Sequence, residues 1–154
     1  MNIDITPSSA TKALITKFGN YSEIVRQAKI KTLTMASMMF STKSKEVSPI
    51  KTGNLRRNIK YTVNSDGSQA RVYNNLDYAL YQEEGTGIYG PKKKMIVPVR
   101  KKFLVFEVGG KIVFARKVRG VRPKWFMRQG SQEVVRRNGE IDKIMHNSLL
   151  KELS

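Results

Sequence analysis

The chain has no cysteine, a single histidine, and only 12 acidic residues against 29 lysines and arginines. Without cysteine there is no disulfide framework, no thiolate metal site and no cysteine nucleophile. His146 alone excludes any catalytic or metal centre that needs two imidazoles. No apolar run approaches the roughly 20 residues of a membrane span. Met1-Asn2-Ile3-Asp4 carries neither a basic n-region nor an apolar h-region, so no signal peptide is expected. What is present is 154 residues, 40% apolar, with a net charge of +17. That length suits one domain, and the apolar content can fill a core. The expectation is a soluble, intracellularly made, strongly basic single domain over 1–154, with no membrane partner.

Hydrophobic spacing predicts an α+β fold. After Pro7, Ser8 or Ser9 can cap a long helical element over about 8–42. Its apolar positions Leu14, Phe18, Tyr21, Val25, Ala28, Met35 and Met39 step by threes and fours once Thr32 fills the gap between Ala28 and Met35, and Ile30, Leu33, Ala36 and Phe40 widen the stripe. One straight helix over 9–40 would run about 48 Å. A compact domain of this length has a radius of gyration of only about 15 Å. So the helix either breaks at Gly19-Asn20 or projects toward a partner subunit, and Met35, Met39 and Phe40 become candidate interface residues. Ser41–Ser48 reads as a polar linker to a sheet-containing core over about 48–154. There, 58–64 and 69–74 form one hairpin, Tyr78–Glu84 a short helix, and 102–108 and 111–118 a second hairpin around Gly109-Gly110. A helix from Trp125 to Leu153 follows, with Gly139 as its weak point. The expected architecture is one antiparallel sheet built from two hairpins, flanked by the long N-terminal, short middle and C-terminal helices.

Little in this pattern carries chemistry. Glu83-Glu84 is the only local acid pair, and adjacent helical residues point about 100° apart, as on an ordinary solvated helix face. Gly85–Gly90 is glycine-rich but lacks the Lys-Ser or Lys-Thr ending of a phosphate loop. Catalytic, metal and cofactor residues are therefore expected to be absent, and no enzyme is expected. The charge says more. Between Lys92 and Arg128 there are 13 basic residues against the single acid Glu107. Lys92, Lys93, Lys94, Lys101, Lys102, Arg116, Lys117 and Arg119 are the candidate contacts, either to DNA phosphates or to an acidic protein surface.

Three motifs in order complete the picture: Ser48-Pro49-Ile50-Lys51-Thr52-Gly53-Asn54-Leu55-Arg56-Arg57, Tyr78-Ala79-Leu80-Tyr81-Gln82-Glu83-Glu84-Gly85-Thr86-Gly87, and Arg122-Pro123-Lys124-Trp125-Phe126-Met127. Together, over residues 45–135, they resemble the neck and minor-tail proteins of long-tailed bacteriophages, the head–tail connector or tail-completion group. The chain departs from that group in Lys51, where an acid is common, and in the basicity of 92–128. Physically, Thr52 can cap a short helix entered through Gly53, and Tyr78 and Tyr81 can pack on the sheet. Gly85 suits a left-handed helix end, and Pro123 a first helical turn. Pro49, Thr52, Gly53, Leu55, Tyr78, Tyr81, Glu83, Gly85, Thr86, Arg122, Pro123 and Phe126 thus read as scaffold.

The resemblance implies a structural virion protein assembled in the host cytoplasm. It would form a six-fold or twelve-fold homo-oligomeric ring in the neck, between portal or head-closure proteins and the tail, with non-specific contact to DNA in the channel. The alternative, resting on charge and on Trp125-Phe126, is a basic protein that binds nucleic acid without sequence preference.

Overall fold

The structure, a computed structural model, describes the backbone of residues 9–153 and the side chains of 21–151. The expected buried positions Leu14 and Phe18 lie outside the described side chains. In chain order the elements are α1 (Ser9–Val47), α2 (Asn54–Arg57), β1 (Ile59–Val63), β2 (Ala70–Asn74), α3 (Ala79–Glu84), β3 (Leu104–Val108), β4 (Lys111–Ala115), α4 (Phe126–Arg136) and α5 (Asn138–Leu153), with a 3₁₀ turn at Gly87–Tyr89. The α+β class is as expected. The two hairpins, however, do not join: β1-β2 and β3-β4 are separate two-stranded antiparallel sheets.

α1 is a single 39-residue helix. It runs through Gly19-Asn20 without a break, since one glycine costs a helix only about 1 kcal/mol. It also absorbs the expected linker 41–47. The reason is packing. Ser37, Ser41, Ser44 and Ser48 recur by threes and fours and are all buried, so hydroxyl residues continue the inward stripe that larger apolar residues begin. Thr32 and Thr34 sit within that stripe by returning their hydroxyls to the carbonyls of Ala28 (2.8 Å) and Ile30 (2.7 Å).

The chain forms two compact units. The first comprises the described residues up to Met38, Thr62–Arg71, and the chain from Arg137 onward. Its buried apolar residues are Ala28 and Ile141. Arg26 grips Glu23 through two bonds (2.7 and 2.5 Å) and donates a third to the carbonyl of Ser65 in the hairpin turn. Those bonds to Glu23, with one from Gln27, hold its carboxyl down to about 2. α5 begins after a turn at Arg137, so the expected single C-terminal helix is two helices, broken just before Gly139 and not at it.

The second unit, Met39–Tyr61 and Val72–Arg136, holds the main core. Leu55, Ile59, Ala79 and Phe126 form it, with Val47, Val72, Leu76 and Met127 against them. Phe126 is 0% and Ile59 1% exposed. At the other end of the unit, β3 and β4 pair from Leu104↔Ala115 to Val108↔Lys111. That register leaves Gly109-Gly110 as a two-residue turn, both with positive φ (58 and 79), the backbone a tight hairpin requires.

α1 and α4 meet inside this unit at their smallest residues. A Cβ placed on Gly130 would overlap Ser44 Oγ and lie 2.8 Å from the Phe40 carbonyl. Ser44 Oγ is buried and has no hydrogen-bond partner. Gly130→Ala should therefore overpack the contact and lower unfolding stability by about 1–3 kcal/mol. Ser44→Ala removes a hydroxyl that is already unsatisfied and should be neutral or stabilising by up to about 1 kcal/mol. Denaturant midpoints of the two variants against wild type check the contrast, and equal destabilisation by both would contradict it.

Candidate functional site

The three motifs are sequence-distant and meet in the second unit. Leu55 of the first, Ala79 of the second and Phe126 of the third share the core. The polar residues between them fasten the pieces. Glu83, expected on a solvated face, instead turns its carboxylate onto the first turn of α4: Oε2 accepts the Met127 N–H at 2.8 Å and Oε1 the Arg128 N–H at 2.9 Å. These are two of the four N–H groups that a helix start leaves unpaired, and a negative charge there also faces the positive end of the helix dipole. The backbone follows suit, with Lys124 N–H bonded to the Gln82 carbonyl (2.8 Å) and Trp125 N–H to that of Glu83 (3.2 Å).

Thr86 makes the second fastening. Its N–H donates to the Val121 carbonyl and its hydroxyl accepts the Val121 N–H, both at 2.9 Å, while Ile88 N–H reaches Arg119 O at 2.9 Å. The two segments come so close that a Cβ on Gly87 would collide with the Arg119 carbonyl, and one on Gly120 with that of Thr86. Only glycine fits at either position.

Several scaffold roles differ from expectation. Thr52 does not cap α2: Gly53 occupies the cap position in the left-handed conformation, and Thr52 Oγ1 stands 3.5 Å from Asn54 N. Tyr78 and Tyr81 are largely exposed, and the adjacent Ala79 takes the buried position of that turn. Gly85 has positive φ, yet its ψ of 177 is extended and not left-handed helical. Pro123 lies in the extended approach to α4, which opens at Phe126. Pro49 lines a shallow cleft with Thr52, Gly53, Leu55 and Tyr78. Of the candidate interface residues, Met35 is exposed while Met39 and Phe40 are half-buried, and Phe40 lies within van der Waals reach of the Gly130 position.

The candidate basic contacts Lys92, Lys93, Lys94, Lys101, Lys102, Arg116, Lys117 and Arg119 are all exposed. They fall in the loops on either side of β3-β4. Lys92 and Lys94 rim a groove of about 630 Å³ lined by Leu80, Tyr81, Met95, Ile96 and Val97. Lys101 lies in a second cleft with Val99 and Phe103. Among the arginines, Arg116 stands 5.8 Å from the Phe103 ring, Arg122 5.2 Å from Tyr89 and Arg128 5.3 Å from Trp125, cation–π distances in each case. Trp125 therefore carries an arginine on its ring and adopts positive φ (53) at the helix start. Among the described residues no cluster of three or more His, Asp or Glu side chains could hold a metal ion, and no helix is long and apolar enough to cross a membrane.

Sequence reasoning missed the role of Glu83 because a carboxylate that caps a helix about 44 residues away leaves no local spacing signal. Removing it with Glu83→Ala should cost about 1–2 kcal/mol of unfolding free energy, as loss of a helix cap does. Glu83→Gln, which keeps one accepting oxygen, should cost less. A solvated residue would give changes within about ±0.5 kcal/mol for both, so denaturant melts of the pair decide between the two roles.

Residues 12–85, just under half of the chain, match the family model HK97-gp10_like, described as "Bacteriophage HK97-gp10, putative tail-component". Neither a curated protein nor a solved structure matches the chain. The match begins near the start of α1, earlier than the motif resemblance at 45–135, and stops at Gly85. It thus takes in the first motif and most of the second and leaves out Arg122–Met127. Over residues 12–85, then, this chain is similar to the HK97 gp10-like family of putative phage tail components, and Glu83 within that stretch holds the start of α4 in the basic C-terminal part of the second unit.

Proposed function

We propose that the chain is a structural protein of a tailed-phage virion, and more narrowly a ring-forming, non-enzymatic subunit of the neck that joins head to tail around the DNA channel. The match over residues 12–85 carries the phage assignment. The neck reading is supported by the character of the motif residues. Leu55, Ala79, Glu83, Thr86 and Phe126 all hold parts of the fold to one another. What they hold up is a surface suited to assembly: an exposed apolar hairpin and a band of cations. Portal or head-closure proteins and tail proteins are the partners this reading requires.

A second reading, a nucleic-acid-binding protein without sequence preference, is favoured by the 13 basic residues between Lys92 and Arg128. Both readings allow contact with phosphates. In a channel that contact must let DNA slide, so it is diffuse attraction and not base readout.

The native mass of nuclease-treated protein at moderate salt separates the two. A closed ring of six or twelve subunits is expected. A monomer that keeps nucleic acid up to high salt would favour the second reading. A monomer without nucleic acid that also fails to join isolated heads and tails would overturn both. Changing Lys101, Lys102 and Lys117 to Glu should weaken DNA retention equally across sequences. The slope of log affinity against log salt should fall by roughly 0.9 for each phosphate that is no longer neutralised. Unchanged retention at low salt would assign those lysines to a protein partner.

A further inference from the structure

β3-β4 is a two-stranded ribbon with no third strand among the described residues, an arrangement marginally stable by itself in water. One of its faces is nonetheless apolar. The pairs Val105↔Phe114 and Glu107↔Ile112 are two residues apart along the strands, so all four side chains point to the same side. Val105 is 57%, Ile112 68% and Phe114 66% exposed. Glu107 stands among them as the only acid between Lys92 and Arg128, with no ion pair among the described residues. DNA cannot be what covers this face: a phosphate backbone would be repelled by the carboxylate and gains nothing from valine, isoleucine and phenylalanine. An apolar site with cations at its edge is what the face fits.

The same unit carries such a site. The groove of about 630 Å³ is lined by Leu80, Met95, Ile96 and Val97, with the half-buried acid Glu84 and the exposed Lys92 and Lys94 as its charged residues. Its backbone is held in place by the bridge Ile96↔Val118 and the close approach of Gly87 to Arg119. It is therefore a preformed acceptor and not a loose surface.

We propose that the hairpin of one copy seats in the groove of the next. Val105, Ile112 and Phe114 would lie against Leu80, Met95 and Val97, with the Glu107 carboxylate between Lys92 and Lys94. Charge complementarity favours a second copy of this chain as the occupant: an apolar face with one central negative charge meets an apolar groove in which Lys92 and Lys94 outnumber the single acid Glu84. Donor and acceptor are different patches, so the contact is head-to-tail, the type that generates a ring when its rotation closes. The inference rests on the ring reading and supplies its subunit contact.

The absence of cysteine makes a direct test clean. Two differently tagged chains, one carrying Glu107→Cys and the other Lys94→Cys, are mixed as the full-length protein and oxidised. A disulfide-linked heterodimer is expected from the mixture and none from either chain alone. Reversing the charge with Glu107→Lys should weaken assembly at least tenfold, and adding Lys92→Glu and Lys94→Glu to that variant should restore it. An oligomeric wild type whose mixture does not cross-link overturns the hairpin–groove contact and leaves the ring reading standing. Cross-linking of Glu107→Cys to itself overturns it in favour of a hairpin–hairpin contact. A wild type that stays monomeric both alone and when offered isolated heads and tails overturns both.

Discussion

Phe126 can be buried only if the start of α4 is held in place, and Glu83 does the holding. A helix start exposes N–H groups that are costly to leave unpaired near a core, and here two of them are satisfied by one carboxylate from α3. With α4 fixed there, Phe126 completes the cluster with Leu55, Ile59 and Ala79. α4 then presents Gly130 to Ser44, which in turn requires α1 to remain helical well past Phe40. The polar cap and the apolar core are therefore mutually dependent. The cap orients the side chain that the core buries, and the core keeps the capping carboxylate beside its partners.

This dependence separates the second unit into two parts. The fixed part contains the buried motif residues Leu55, Ala79 and Phe126. The other part, 92–118, is tied down at its ends, through Ile96↔Val118 and the Thr86 clamp on Val121. Between those ties the chain is mostly exposed. Surface segments positioned by a rigid scaffold are where binding functions concentrate, and the charge and the exposed apolar side chains of this protein are concentrated there too.

The elements were legible in the sequence wherever a local period or turn signal fixed them. The 3.6-residue stripe located α1, and Gly109-Gly110 located the turn of the second hairpin to the residue. What was not legible depended on tertiary partners. Ser41, Ser44 and Ser48 look like linker residues until the small residue facing Ser44 across the contact, Gly130, is known. Thr52 looks like a helix cap, although Gly53 takes that position. The two hairpins carry the alternation of sheet strands, and nothing in alternation says whether two hairpins share a sheet. For the candidate site, the basic segment and the three motifs could be read directly, because clustering of charge and ordered spacing are properties of the chain itself. The Glu83 cap and the groove beside Lys92 could not, since each is made by segments far apart in sequence.

The basic residues divide by chemistry in a way that bears on the neck reading. Arg116, Arg122 and Arg128 lie over aromatic rings, using the planar, weakly hydrated guanidinium for packing. The lysines at 92–94, 101–102 and 117 project into solvent with no salt bridge among the described residues. A lysine is a strongly hydrated point charge on a flexible stem, so it attracts a phosphate without fixing its register. For a subunit lining a channel, that difference matters. Planar arginines free to pair bidentately would hold DNA at fixed positions, whereas flexible lysines would neutralise a passing backbone and release it. An apolar contact between subunits, with only Lys92 and Lys94 engaged at its edge, would leave the remaining lysines available to the channel. Ring closure and DNA passage would then draw on different residues of one short segment.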